Sequence, residues 1–150
     1  MSGRTPVLAR LKRTTPAERL LLAEAVAVLA AVACMVALLP IRRLAAIARS
    51  PDGPPPEPAE QLRQVRAVRW AVAASARRVP WRAKCIEQGF AAQWMLRRRA
   101  VPAVLHYGVA RRDGGLVAHV WVRSGAVDVI GCENLAEFAE IAQFPAAPVA

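Results

Sequence analysis

Residues 81–98 have the sequence WRAKCIEQGFAAQWMLRR, and this stretch decides how the C-terminal half of the chain folds. Its apolar side chains recur at helical spacing, which predicts a helix over residues 85–98 with Phe90 and Trp94 on one side. The segment ends in consecutive arginines, whose positive charge suits the C-terminal end of a helix dipole. Cys85 is therefore predicted to open a helix.

Three strands are predicted after this helix, because short runs rich in β-branched and aromatic residues alternate with turn residues. They cover Val101–Val109, Leu116–Val122 and Ala126–Ile130. A turn at Arg111–Gly115 joins the first two strands. Residues 123–125 join the last two and have the length of a hairpin loop.

A final helix is predicted to begin at Asn134. Glu137 stands three residues after this cap, and Leu135, Phe138 and Ile141 would face inward. The predicted order is helix, strand, strand, strand, helix. The fold class is thus α+β, with a helix and an antiparallel sheet preceded by an N-terminal helical region.

The most hydrophobic segment lies near the N-terminus. Thr15, Pro16 and Glu18 form a helix-start pattern with a capping box, and Leu20–Leu39 is apolar except for Glu24. The run is as long as a membrane span, but it consists largely of alanine, which inserts weakly. Three roles stay open for it: a helix that forms a hairpin or docks a partner, a membrane-inserted or surface-associated helix, and a core helix.

A proline-rich segment divides the chain. Residues 50–58 hold five prolines and one glycine, which predicts a linker or exposed loop. An amphipathic helix with arginines on its solvent side is predicted beyond it, over residues 59–79. The resulting division is a hydrophobic helical region at 1–49, the linker at 50–58 and a core at 59–150.

Composition limits the classes of function. The 150 residues suffice for one domain with a real core, and the net charge of +10 predicts a solvated basic surface. The arginines have no interleaved aromatic platform, so no nucleic-acid partner is expected. No cofactor and no metal are expected either. Three cysteines, an odd number, indicate free thiols in a reducing interior, so the predicted location is the cytoplasm, with membrane association as an open addition.

Cys85 is the strongest candidate nucleophile. Free N–H groups at a helix start and the nearby cations Lys84 and Arg82 favour the reactive thiolate. Cys34 lies in a run of alanine and valine, and Cys132 follows a strand end without adjacent basic groups. Neither of these two has a comparable environment.

His119 is the candidate general base. It interrupts the apolar strand sequence Ala118-His119-Val120-Trp121-Val122, and a histidine paired with a helix-start cysteine can activate the thiol. The other histidine, His106, is expected to have a packing role.

A base histidine needs an acceptor that fixes its tautomer, and two carboxylates compete for this role. With Ser124 and Gly125 as a two-residue turn, Asp128 shares the face of His119 and becomes the predicted third catalytic residue. Glu133 would reach the histidine only if a bulge shifted the register. The predicted pairs are Arg123 with Ala126, Trp121 with Asp128, and His119 with Ile130.

These motifs together resemble the transglutaminase-like cysteine protease of lasso-peptide biosynthesis. The resemblance is dense over about the last 70 residues and looser in the N-terminal half. It departs from the family at Ile130-Gly131-Cys132-Glu133, where members commonly carry an Asp or Asn-Asp. The residues that carry it are Trp81, Cys85, Leu96-Arg97-Arg98-Arg99, Val101-Pro102-Ala103, Leu105, Tyr107-Gly108-Val109 and Ala118-His119-Val120-Trp121-Val122.

The resemblance implies a papain-like or transglutaminase-like core that removes the leader from a ribosomally made precursor peptide. It also implies the split form of the family, in which a small leader-recognition protein presents the precursor and a lasso cyclase acts on the product. A membrane contact through residues 20–39 is a further expected interaction. The competing hypothesis is a noncatalytic membrane-associated or scaffold protein that uses the apolar helix and the basic surface.

Overall fold

The computed structural model describes residues 13–146 of the chain. Within this range four α-helices precede an antiparallel sheet of four strands in the order β3-β2-β1-β4, so the predicted α+β class is confirmed. The elements are α1 (Pro16–Leu38), α2 (Ile41–Ile47), α3 (Pro58–Ala76), α4 (Cys85–Arg97), β1 (Val104–Arg112), β2 (Gly115–Ser124), β3 (Val127–Ile130), a short 3-10 helix (Leu135–Glu137) and β4 (Ala139–Phe144).

The start of α1 has the predicted capping box. Thr15 Oγ1 accepts a hydrogen bond from the backbone N–H of Glu18 at 3.2 Å, and the Thr15 N–H donates to Glu18 Oε2 at 2.7 Å. Pro16 occupies the first turn, where its missing N–H costs nothing. Such caps stabilise a helix by about 1 kcal/mol, so the sequence fixes this boundary locally.

Helices α1, α3 and α4 bury their apolar sides against one another. The N-terminal helix therefore contributes to the same hydrophobic core as the later elements, rather than standing apart from them. By length and composition it could also cross a membrane, but the core helices of soluble proteins can have the same length and composition. The central buried residues are Ala25, Leu29 and Val32 of α1, Val65, Val68 and Val72 of α3, and Met95 and Leu96 of α4.

The sheet packs on α4 at very short range. A Cβ atom on Gly89 would lie 2.6 Å from Val120 Cγ1, closer than real Cβ contacts occur. Val120, Val122 and Leu105 are almost fully buried under the helices. The alternation of β2 therefore puts Val120 and Val122 toward the helices, and His119 and Trp121 have the opposite parity.

The first hairpin is longer than predicted. Strand β1 begins at Val104 rather than Val101 and continues to Arg112, so only two residues remain for the turn. Asp113 and Gly114 both have positive φ, 49° and 77°. Two such residues suit the mirror-image turns that match the twist of paired strands, and Asp-Gly is a favoured pair for them.

The predicted final helix is wrong. Only the 3-10 turn Leu135–Glu137 is helical, Asn134 has a φ of 60°, and its side chain makes no capping hydrogen bond. The chain then forms β4 along the free edge of β1, which satisfies backbone groups that a helix would leave exposed on that edge. Ile141, expected to face inward, is 59% exposed.

Candidate active site

Cys85 and His119 line one pocket. Its volume is about 290 Å³, and it lies between the start of α4, strand β2 and the segment that follows β3. The structure therefore brings together the two residues that the sequence singled out. The remaining lining residues are Ala73, Gln88, Val120, Ile130, Gly131 and Glu133.

Cys85 is the first residue of α4, as predicted. The side chain of Lys84, at the N-cap, makes no capping hydrogen bond, so the first backbone N–H groups of the helix are not occupied by a cap. Gln88 Nε2 donates to the Ala83 carbonyl at 2.9 Å and thereby ties the preceding loop to the helix. A half-buried thiol thus lies beside backbone N–H groups that can bind developing negative charge.

The ring of His119 is held by a backbone carbonyl. His119 Nε2 lies 2.7 Å from the oxygen of Gly131. A carbonyl only accepts, so Nε2 carries the proton and Nδ1 of the neutral ring keeps its lone pair. The ring also packs against Phe138, with centroids 4.9 Å apart, and near Trp121 at 6.2 Å. This tautomer leaves Nδ1 free to act as a base.

Gly131 is the residue that sequence reasoning missed. Its φ is 72°, and a Cβ there would meet the Val120 carbonyl oxygen at 2.6 Å and His119 Nε2 at 3.5 Å. Only glycine fits this position without a backbone shift. The signal available in the sequence was a glycine directly after a strand that pairs with the histidine strand.

Asp128 does not take the place predicted for it. The turn of the second hairpin is Gly125-Ala126 rather than Ser124-Gly125, so Arg123 pairs with Asp128. Arg123 Nε donates to Asp128 Oδ1 at 2.8 Å, and both side chains are substantially exposed. Asp128 is therefore engaged by an arginine and makes no hydrogen bond to the histidine.

A bulge between Val122 and Arg123 shifts the register, and Val122 rather than His119 pairs with Ile130. Glu133 can approach the histidine only with a register shift of this kind. Glu133 does line the pocket, although it forms no hydrogen bond with His119. Cys85 Sγ and His119 also share the pocket without a hydrogen bond between them. The catalytic roles of Cys85, His119 and Asp128 stay predictions.

The other candidate side chains have different surroundings. Burial, reinforced by the charge of Asp128, raises the pKa of the Cys132 thiol, which disfavours its reactive thiolate. Cys34 is exposed on α1. His106 stacks on Trp121, with centroids 5.4 Å apart, and its Nδ1 lies 3.0 Å from Glu140 Oε2. Within residues 13–146 no cluster of three or more His, Cys, Asp or Glu could hold a metal ion.

Comparison with known proteins identifies the family. Neither the curated proteins nor the solved structures contain a significant match to this chain. Residues 25–143, however, match the transglutaminase-like superfamily, and this range begins within α1 and extends into β4. Because the match covers well over half of the sequence, the chain belongs to the transglutaminase-like superfamily, which includes cysteine proteases.

Proposed function

We propose that this protein is a cysteine peptidase that removes the leader from a ribosomally synthesised lasso-peptide precursor. The observation that carries the peptidase assignment is the pocket shared by the helix-start thiol of Cys85 and the oriented ring of His119. The substrate class is supported by the motif resemblance around these residues.

The chemistry follows from the positions of the two groups. His119 Nδ1 takes the proton of Cys85, and the sulfur attacks the carbonyl carbon at the junction of leader and core. Backbone N–H groups at the start of α4 stabilise the oxyanion. The imidazolium then gives its proton to the departing amine as the C–N bond breaks, which leaves a thioester.

Water completes the cycle. His119 removes a proton from it, the oxygen attacks the thioester, and the C–S bond breaks to release the leader with a free carboxylate. The imidazolium returns its proton to the Cys85 sulfur, which restores the starting thiol and the neutral histidine. The Gly131 carbonyl keeps the imidazolium oriented through Nε2. A carbonyl carries no full charge, so it stabilises the imidazolium less than a carboxylate would, but the cysteine thiolate is nucleophilic enough to need less help from its base.

The partners of this proposal are the precursor peptide, a small leader-recognition protein that presents it, and a lasso cyclase that uses the freed amine. The proposed location is the cytoplasm, where such a precursor is made and thiols stay reduced. These partners rest on the family resemblance, and the location rests on the free cysteines.

Cleavage of the precursor tests the proposal. The purified protein is incubated with precursor and recognition protein, and products are followed by mass spectrometry. Cys85→Ala should abolish cleavage, whereas Cys34→Ala, which removes an exposed thiol from α1, should leave it unchanged. Undiminished cleavage by the Cys85→Ala protein would refute the assignment.

A noncatalytic scaffold is the second candidate, favoured by the exposed apolar side of α1. Thiol labelling at neutral pH separates the two functions without a substrate. A catalytic Cys85 should react faster than Cys34 or Cys132, and His119→Ala should slow it. Equal rates at all three thiols would favour the scaffold.

A further inference from the structure

The outer face of α1 is apolar along its whole length. This outer face consists of eight residues of the helix, all of which are exposed. Leu20 and Leu38, near its two ends, are 73% and 80% exposed. The helix has 23 residues and is about 34 Å long, so this is an extended stripe rather than a single residue. The eight residues are Leu20, Ala23, Val26, Ala27, Ala31, Cys34, Ala37 and Leu38.

The one charged side chain in the apolar run borders this face and is paired within the protein. Glu24 binds Arg99 through both carboxylate oxygens, at 3.0 and 2.6 Å, and Arg98 lies 4.0 Å away. Its charge is therefore neutralised within the protein. Between Arg19 and Arg42 the sequence contains no other Asp or Glu and no Lys, Arg or His.

A groove extends this surface onto α3. Its volume is about 680 Å³, and Val26 and Ala27 of α1 line it together with Trp70 of α3. Trp70 is 40% exposed, which is unusual for the largest apolar side chain. The outer face and the groove thus form one continuous apolar surface.

Arginines border this surface. Arg77 and Arg78 line the groove, and both are exposed. Helical spacing puts Arg66 and Arg77 on the same side of α3 as Trp70. At the far end of α1, Arg42 follows shortly after Leu38. The surface therefore combines an apolar centre, a tryptophan and a cationic rim.

This combination fits a lipid bilayer better than a protein. A protein interface contains about one hydrogen bond per 100–200 Å², but the outer face offers no polar side chain other than the Cys34 thiol. An apolar helix face with arginines at its border is the pattern that binds an anionic membrane surface, and tryptophan prefers the same interfacial depth. The opposite side of α1 is buried against α3 and α4, which excludes a lone spanning helix in this fold.

We propose that the outer face of α1 and the adjoining groove bind the surface of an anionic bilayer. The helix lies in the plane of the membrane, its apolar residues enter the acyl boundary, and Arg66, Arg77 and Arg78 contact lipid phosphates. The bound protein keeps its fold, because the eight residues of the outer face, Trp70 and the three arginines are already exposed in the free molecule.

Vesicle co-sedimentation of the full chain tests this proposal. Vesicles of phosphatidylcholine alone are compared with vesicles that also contain phosphatidylglycerol, and wild type should pellet only with the latter. Replacing Arg77 and Arg78 by glutamine should lower the partition coefficient about 25-fold, since each basic residue near an anionic surface contributes roughly fivefold. The double variant Leu20→Glu, Val26→Glu should remove binding.

Leu116→Glu is the matched control. Leu116 is 72% exposed, almost the same as Leu20, but it lies at the β1–β2 turn, away from the proposed surface. This variant should bind vesicles as wild type does. Thermal unfolding of each variant verifies that the fold is intact.

Three results would overturn the proposal. Wild type could stay in the supernatant with anionic vesicles, the Leu116→Glu variant could lose as much binding as the α1 variant, or the arginine variant could bind undiminished. A protein that is dimeric in solution and becomes monomeric with Leu20→Glu, Val26→Glu would instead assign the face to a second copy of the chain. None of these outcomes depends on the peptidase assignment, because vesicle binding is measured without a substrate.

Discussion

Replacement of Gly131 by alanine should damage both stability and catalysis. The position has a φ of 72°, a region that costs an ordinary residue roughly 1–2 kcal/mol. The added Cβ would also lie 2.6 Å from the Val120 carbonyl oxygen and 3.3 Å from Trp121 Cα, both backbone atoms that cannot swing aside. We therefore expect a loss of about 2–4 kcal/mol in the free energy of unfolding, conformational strain and steric overlap together.

The catalytic effect follows from the displaced carbonyl. If Gly131 moves, its oxygen leaves His119 Nε2, and the tautomer that exposes Nδ1 is no longer selected. Loss of an orienting acceptor is expected to lower the single-turnover cleavage rate by at least roughly tenfold. Urea denaturation measures the first effect, and mass-spectrometric cleavage of the precursor measures the second.

Gly125→Ala provides the matched control. Gly125 also has a positive φ, 57°, and lies in the same hairpin, but a Cβ there meets no atom within 4 Å. This variant should show the conformational cost alone, about 1 kcal/mol, and normal cleavage. If Gly131→Ala lost no more stability than Gly125→Ala and cleaved at the wild-type rate, the reasoning about the carbonyl would be refuted.

Two further predictions concern stability. The hydrogen bonds from Arg99 hold the pKa of Glu24 below its ordinary value, so the pair stabilises the fold above pH 4.5, and this contribution is lost as pH falls through the folded pKa. Urea unfolding of Glu24→Gln should depend less on acid pH than that of wild type, and parallel pH profiles would contradict this assignment. Gly89→Ala should lower the free energy of unfolding by about 1–3 kcal/mol in the same assay, because its Cβ would overlap Val120. Gly53→Ala is the control and should be neutral, because a Cβ there lies in open space. Equal stability of the two variants would argue against the close packing of α4 on the sheet.

Local signals allowed part of this protein to be predicted from sequence. The capping box at Thr15 fixed the start of α1 because both of its hydrogen bonds join residues three apart. Helical periodicity placed Cys85 at the start of α4, and the alternation around His119 gave β2. Each of these features depends on residues that are close in the sequence, so it can be predicted without knowledge of the tertiary structure.

Tertiary structure decided the features that depend on distant partners. A helix and a strand were both compatible with residues 135–144, and the free edge of β1 selected the strand. The hairpin register was ambiguous by one residue, and the turn at Gly125-Ala126 together with the bulge directed Asp128 to Arg123. A one-residue difference in pairing is enough to exchange the side chains that face a site.

The hydrogen-bond acceptor for His119 shows most clearly what residue types alone cannot predict. The sequence predicted a carboxylate acceptor, Asp128 or Glu133, because a sequence distinguishes residues only by their side chains. The structure supplies the backbone carbonyl of Gly131, a group that every residue possesses. Residue types and their local pattern predicted the candidate nucleophile and base, whereas the group that contacts the histidine was decided by the path of the chain after β3, where only glycine leaves enough space for that carbonyl to approach.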